Sequence, residues 1–268
     1  MISHIDIIVI YIFLFGLIIG SFLNVCIYRI PKKFSIVFPP SSCPLCNQKI
    51  KPIDNIPLIS YIILLGRCRY CKTRISIRYP FVELINAILF VIVIYRYGLN
   101  MDGIFYMALI STLIVITFID IDHMIIPDVI SLPWIVIALI AGMTFMPDPL
   151  IYDSNLGVKG AIIGFFAGGG LFLFISIISR GGMGGGDIKL MALFGACLGW
   201  KAALLITFIG SLLGSIYGIT LMIFKGKGRK TKVPFGPFLA VGAVICILYG
   251  RELLEMYLGH NLMKFQGF

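Results

Sequence analysis

Two carboxylates and four thiols are the groups whose surroundings in this sequence mark them for chemistry. Asp187 closes the run R-G-G-M-G-G-G-D-I-K-L (180–190), where five glycines broken only by Met183 precede the acid at the end of an apolar segment long enough to span a bilayer. A charged side chain at a membrane is costly and therefore a candidate for function. Glycines beside it permit backbone conformations closed to other residues and the close approach of another chain. A second acid of this kind, Asp120, stands in F-I-D-I-D-H-M-I-I-P-D. Two carboxylates within a few ångströms cannot both ionise cheaply, so one holds a proton near neutral pH. Such a pair can take a proton from water and give one to a carbonyl oxygen, which is the chemistry of aspartyl proteolysis.

The neighbours offer competing readings. Asp122 rivals Asp120, and spacing alone does not separate them. Asp128, directly after Pro127, reads as a helix N-cap. His123 reads as a hydrogen-bonded structural residue at the interface, since a lone histidine there needs no chemical role.

The thiols fall in two pairs, Cys43-Pro-Leu-Cys46 and Cys68-Arg-Tyr-Cys71. Each C-x2-C pair can hold one edge of a tetrahedral metal, with the intervening loop closing the site. Four thiolates leave no open position for water, so the expected ion is a structural Zn²⁺, supplying folding energy that a small domain's core cannot. Cys26, Cys197 and Cys246 are isolated in apolar segments and read as small hydrophobes.

The elements that must position these groups are membrane helices. The chain has 268 residues, is 59% hydrophobic and only 13% charged, with a mean hydropathy of +1.03, which excludes a soluble domain. Residues 7–28 make a first spanning helix, with Gly16, Gly20 and Ser21 placed for a close helix contact. No cleavable signal peptide is evident. Residues 29–79 turn polar, with prolines and ten Lys/Arg, and read as a small domain in water. Further apolar segments at 80–97, 104–119, 129–146, 158–179, 190–200, 202–224 and 238–258 bring the expected spans to about eight, the sixth short and parted from the seventh only by Lys201. The fold expected is therefore an all-α polytopic membrane protein with a small zinc-binding domain between its first two spans. With the N-terminus outside, 17 of the 22 Lys/Arg fall on inside loops, including 225–232, and five outside. That bias selects this orientation and places Asp120 and Asp187 at the cytoplasmic face. It also accounts for the net charge of +10 without nucleic acid as a partner.

The pairing of D-I-D-H-M-I-I-P-D with the G-x-G-D of Gly184–Asp187 resembles the type IV prepilin peptidases, membrane aspartyl proteases. G-S-F-L-N-V-C-I-Y-R-I-P (20–31), the cysteine pairs, R-Y-P-F-V-E-L (78–84) and P-F-G-P-F-L-A (234–240) are similar to further motifs of that family, so the resemblance covers nearly the whole chain. It implies an inner-membrane enzyme that cuts the basic leader from prepilin or pseudopilin substrates after a glycine, at the cytoplasmic edge of the bilayer, for pilus assembly or protein secretion. The catalytic pair carries over to Asp120 and Asp187, with Gly184, Gly186, Asp122 and Lys189 supporting the catalytic loop and Cys43, Cys46, Cys68 and Cys71 holding zinc. Many members also methylate the new N-terminal residue with S-adenosylmethionine; this sequence offers no nucleotide-binding G-x-G-x-x-G turn for it. The implied division is 1–28 as first helix, 29–79 as zinc domain and 80–268 as the transmembrane protease core. Glycines 164, 168, 169, 170, 210 and 214 would either admit a substrate helix or pack the enzyme's own helices. Other classes open at this point are a peptidase without methyl transfer, a cation- or proton-coupled transporter using the two aspartates, and an assembly factor docking through its zinc domain.

Overall fold

The structure is a computed structural model, and it describes residues 4–151, 154–180, 182–225 and 233–258. Gly181 of the glycine run, most of the 225–232 loop and Lys264 lie outside the described residues. The chain divides into two compact units, Met1–Ile119 and Asp120–Phe268.

The first unit is built on α1 (His4–Arg29) and α3 (Arg78–Tyr97), with the short α2 (Ile59–Ile63) between them and α4 (Met101–His123) following. The contact expected at the small residues of α1 is present: a Cβ added at Gly16 would fall 2.6 Å from the Cα of Ala87, and one at Gly20 2.6 Å from that of Glu83. With the backbones this close, side-chain amides reach carbonyls across the seam. Asn86 donates to Gly16 O at 2.8 Å and Asn24 to Tyr79 O at 3.1 Å, while Ser111 of α4 donates to Asn86 Oδ1 at 2.8 Å. In hydrocarbon each such polar group needs its partner inside the protein.

The second unit contains the last turn of α4, then α5 (Asp128–Thr144), α6 (Gly157–Ile178), α7 (Gly185–Lys225) and α8 (Gly236–Leu258). α7 is two helices in one: Gly199 has φ 84° and ψ 168°, a backbone state open in practice only to glycine, and it breaks the rod. The break falls two residues before Lys201, which is itself helical; a charge marked the junction in the sequence, but backbone freedom makes it. The first arm, residues 185–198, is about 21 Å long and too short to cross a ~30 Å core. It is also the most enclosed stretch of the unit, with Leu190, Met191, Leu193, Phe194, Ala196, Cys197 and Leu198 all fully buried.

Among the described residues six helices are long and apolar enough to cross a membrane, and α5, at 17 residues, is a shorter apolar helix. Counting α5 and both arms of α7 recovers the eight apolar segments. The glycines of α6 and α7 are mostly committed to internal packing. A Cβ at Gly164 would overlap the carbonyl oxygen of Gly195, and one at Gly195 that of Gly164; one at Gly168 would overlap Met191 O, and one at Gly142 of α5 would overlap Ala196 O. Gly169 abuts Ala192, and Gly210 and Gly214 face Leu239 and Phe238 of α8 and Phe235 just before it. Of the six glycines singled out, Gly170 alone has open space where a side chain would go. Cys26, Cys197 and Cys246 are buried free thiols, as their apolar settings implied.

Candidate functional site

Asp120 lies one turn before the end of α4, and Asp187 is the third residue of α7. Both are buried, at 5% and 9% exposure, and the two interact electrostatically. Glycines that adjoin the two acids meet on one apolar side chain. Ile126, in the link between α4 and α5, reaches within 3.3 Å of where a Cβ would stand on Gly236 and lies 2.7 Å from one on Gly186, the neighbour of Asp187.

Each acid is held by backbone. The N–H of Gly236, the first residue of α8, donates to Asp120 Oδ2 at 3.0 Å. A Cβ there would fall 2.7 Å from the same oxygen, so any side chain at this position pushes the carboxylate aside. At the other acid the N–H of Asp187 donates to Gly184 O at 3.1 Å. Its carboxylate folds back so that a Cβ on Gly184 would stand 3.3 Å from Oδ2. Gly186 is thus sterically constrained by Ile126, Gly184 is close only to the Asp187 carboxylate, and Gly185 has open space around it. A carboxylate in the first turn of a helix also meets the positive end of the helix dipole.

The remaining site residues divide. Asp122 and His123 are exposed at the end of α4, which separates Asp122 from its buried rival. Asp128 is not an N-cap: Pro127 holds the cap position with no side-chain hydrogen bond, and Asp128 forms an ion pair with Lys189. That contact makes Lys189 a tie between α5 and α7 on the exposed surface. Ile126 and Gly236 carry no signal in a single sequence beyond the glycine in P-F-G-P-F, because the partners they meet are distant along the chain.

The four thiols form the second cluster, and their sulfur atoms all lie within 4.8 Å of one another. Two matching knuckles present them: Cys43 N–H donates to Gln48 O at 3.0 Å and Cys68 N–H to Thr73 O at 2.8 Å. The residue after each second cysteine, Asn47 and Lys72, turns the chain at φ 55° and 58°. Cys43 Sγ and Cys71 Sγ stand 3.7 Å apart, close to the ~3.8 Å edge of a tetrahedron with 2.3 Å zinc–sulfur bonds. Backbone N–H groups of Cys46 and Leu45 bring the Cys43 thiol down to about 6. Cys71 receives a backbone N–H from Thr73, yet desolvation and the other three thiols push it up to about 11. Four neighbouring thiols cannot all ionise without a cation among them, so the donor set fits a divalent metal such as zinc. Arg69 from the second knuckle grips Asp54 in a forked hydrogen bond, 2.8 Å from Nε to Oδ2, and holds that carboxyl below its usual range.

A multi-pass helical membrane protein with a buried carboxylate pair and a four-cysteine cluster is the class these features define. Comparison with known proteins narrows it. Residues 14–97 match the bacterial peptidase A24 N-terminal domain and residues 107–219 the type IV leader peptidase family. Proteins described as prepilin leader peptidase/N-methyltransferase are similar over almost their whole length. That of Aeromonas salmonicida strain A449 is 35% identical, with 92% of each chain covered; that of Pseudomonas aeruginosa is 34% identical, covering 95% of this chain and 93% of its own; that of Bacillus subtilis strain 168 is 37% identical, covering 92% and 96%. No solved structure matches. The chain belongs to the type IV leader peptidase family, and it is a multi-pass inner-membrane peptidase.

Proposed function

We propose that the protein removes the basic leader of prepilin-like substrates after a glycine, using Asp120 and Asp187 as a two-carboxylate pair at the cytoplasmic face of the membrane. The observation that carries this reading is the burial of two interacting carboxylates, 67 residues apart in sequence, beside glycines that both meet Ile126. The ionised member takes a proton from water as the water oxygen attacks the scissile carbonyl carbon, and the protonated member gives its proton to the carbonyl oxygen. Collapse of the tetrahedral intermediate then breaks the C–N bond, with a proton passing to the leaving amine. A peptide bond in a helix is hydrogen-bonded and shielded, so the substrate must present extended backbone. The open space at Gly185 leaves room beside the acids for it.

The position of the acids disfavours the transporter alternative. Both lie within one turn of a helix end, whereas coupled transport sites lie near the midplane. The positive-inside bias supports a cytoplasmic site with the N-terminus outside. The domain division follows: 1–28 as first helix, 29–79 held by structural zinc on its four cysteines, and 80–268 as the protease core.

We assign N-methylation of the new N-terminus to the same protein, on the names of its relatives. S-adenosylmethionine would supply the methyl group. The described residues form no strand and hence no nucleotide-binding β-α-β unit, and no residues are assigned to that cofactor. Incubating the purified chain with a prepilin-like substrate, with and without S-adenosylmethionine, and weighing the product separates cleavage, methylation and neither. An uncut substrate in both arms overturns the peptidase assignment.

Gly236 gives a sharper expectation. In Gly236→Ala the new methyl displaces the Asp120 carboxylate, and misplacement on the ångström scale costs on the order of 10²-fold in rate. Leader cleavage should fall by about that factor while zinc content and membrane insertion stay unchanged, as measured by kcat/KM on a prepilin-like peptide.

A further inference from the structure

The four-cysteine segment exposes apolar side chains at a depth set by α3. The N–H of Leu58 donates to Glu83 Oε2 at 2.8 Å, and Glu83 is buried where α3 packs on Gly20 of α1. At 20 residues, α3 is about 30 Å long, the thickness of the hydrocarbon core. It therefore needs its whole length to cross, and Glu83 lies roughly 8 Å inside its end. Leu58 is pinned at that level, and α2 begins at the next residue.

α2 turns one face outward. Ile59, Ile62 and Ile63 share that face by their i, i+3, i+4 spacing and are 54%, 69% and 67% exposed, and Leu65 just beyond is 84% exposed. The polar end of Tyr61 is taken up elsewhere, donating to Ile75 O at 3.4 Å. A cleft of about 590 Å³ lies just before α2 in the chain, where Ile18, Phe22 and Val25 of α1 meet Ile36, Val37 and Ile56, with Arg29 and Asn55 at its polar side. Lys51, Arg67, Lys72 and Arg74 flank α2 in sequence, and cations of this kind are drawn to anionic headgroups near the surface.

We infer that α2 is a membrane foot: its Ile59, Ile62 and Ile63 face and Leu65 rest in the acyl boundary of the leaflet where α1 ends and α3 begins, with the flanking cations among anionic headgroups. An apolar patch like this is unfavourable in water, and the Glu83 tether puts it where lipid covers it. The segment is then only partly the aqueous domain that its composition implied. This inference does not depend on the peptidase reading.

The test uses the full chain in vesicles of phosphatidylglycerol and phosphatidylcholine with brominated acyl chains, which quench tryptophan at the acyl level. Ile62→Trp and Leu65→Trp are compared with Gln48→Trp, an exposed position in the first knuckle; the unsubstituted chain, with Trp134 and Trp200, sets the background. With zinc content unchanged, the added emission at 62 and 65 should be blue-shifted and quenched at least twofold more than that at 48. Leu65→Trp, in the turn after α2, keeps the test valid if Ile62→Trp disturbs the helix. Equal quenching at all three positions overturns the inference. So does emission at 62 and 65 that is unquenched in the vesicles and blue-shifts only when a prepilin-like peptide is added, which would assign the face to substrate.

Discussion

Asp120→Asn and Asp187→Asn should each lower leader cleavage by about 10⁴-fold, the upper end of what a positioned acid or base contributes. The amide is nearly the size of the carboxyl it replaces, and both sites are enclosed, so the fold should persist. The double variant should be scarcely worse than either single one, because groups acting as one unit lose their effect together. Asp122→Asn should keep most of the activity, since that side chain is exposed and outside the buried pair. The measurement is kcat/KM with a prepilin-like peptide on reconstituted protein of equal zinc content. Full cleavage by both single variants would remove the two-carboxylate mechanism.

Stripping the metal should have the second large effect. A four-thiolate zinc site contributes apparent binding free energy of roughly 10–16 kcal/mol at neutral pH, and the segment from Ser42 to Arg74 has no fully buried apolar side chain other than Cys43. Chelation, or Cys43→Ser with Cys71→Ser, should therefore raise amide hydrogen exchange across the two knuckles by at least 100-fold. The α1 and α3 helices should stay protected, since the Gly16–Ala87 and Gly20–Glu83 contacts and the Asn86 hydrogen bonds do not involve the thiols. Unchanged exchange in metal-free protein would mean that the thiols cluster without needing an ion.

Features that depend on local spacing were legible in the sequence. The C-x2-C pairs predict the sulfur cluster because ligand spacing along a turn fixes it, and Gly16 and Gly20 predict the α1 seam because four residues return to one helix face. Asp120 and Asp122 were not separable by spacing, and the resemblance to the prepilin peptidases favoured the first; the structure shows only that Asp120 is buried and Asp122 exposed. What stayed hidden depends on partners far away. The hydrogen bond from Gly236 to Asp120 spans 116 positions, and Ile126 is an ordinary apolar residue until Gly186 and Gly236 close on it. Asp128 has the look of a cap because its local sequence is that of one, but an ion pair with Lys189, 61 positions on, claims its carboxylate. Glycines that would serve a substrate helix or the protein's own helices equally well in the sequence are assigned by which carbonyl stands opposite, and only the tertiary fold supplies that.

The interlock at Gly142, Gly164 and Gly195 has a consequence for how this protein can change over generations. Where a main-chain oxygen already occupies the space of a methyl group, no single codon change can add even one carbon without prising two helices apart, so drift there is frozen. Gly170, with empty surroundings, can diverge freely. A census of natural variants should find the first three positions fixed and the fourth varied, although the sequence writes all four with the same letter.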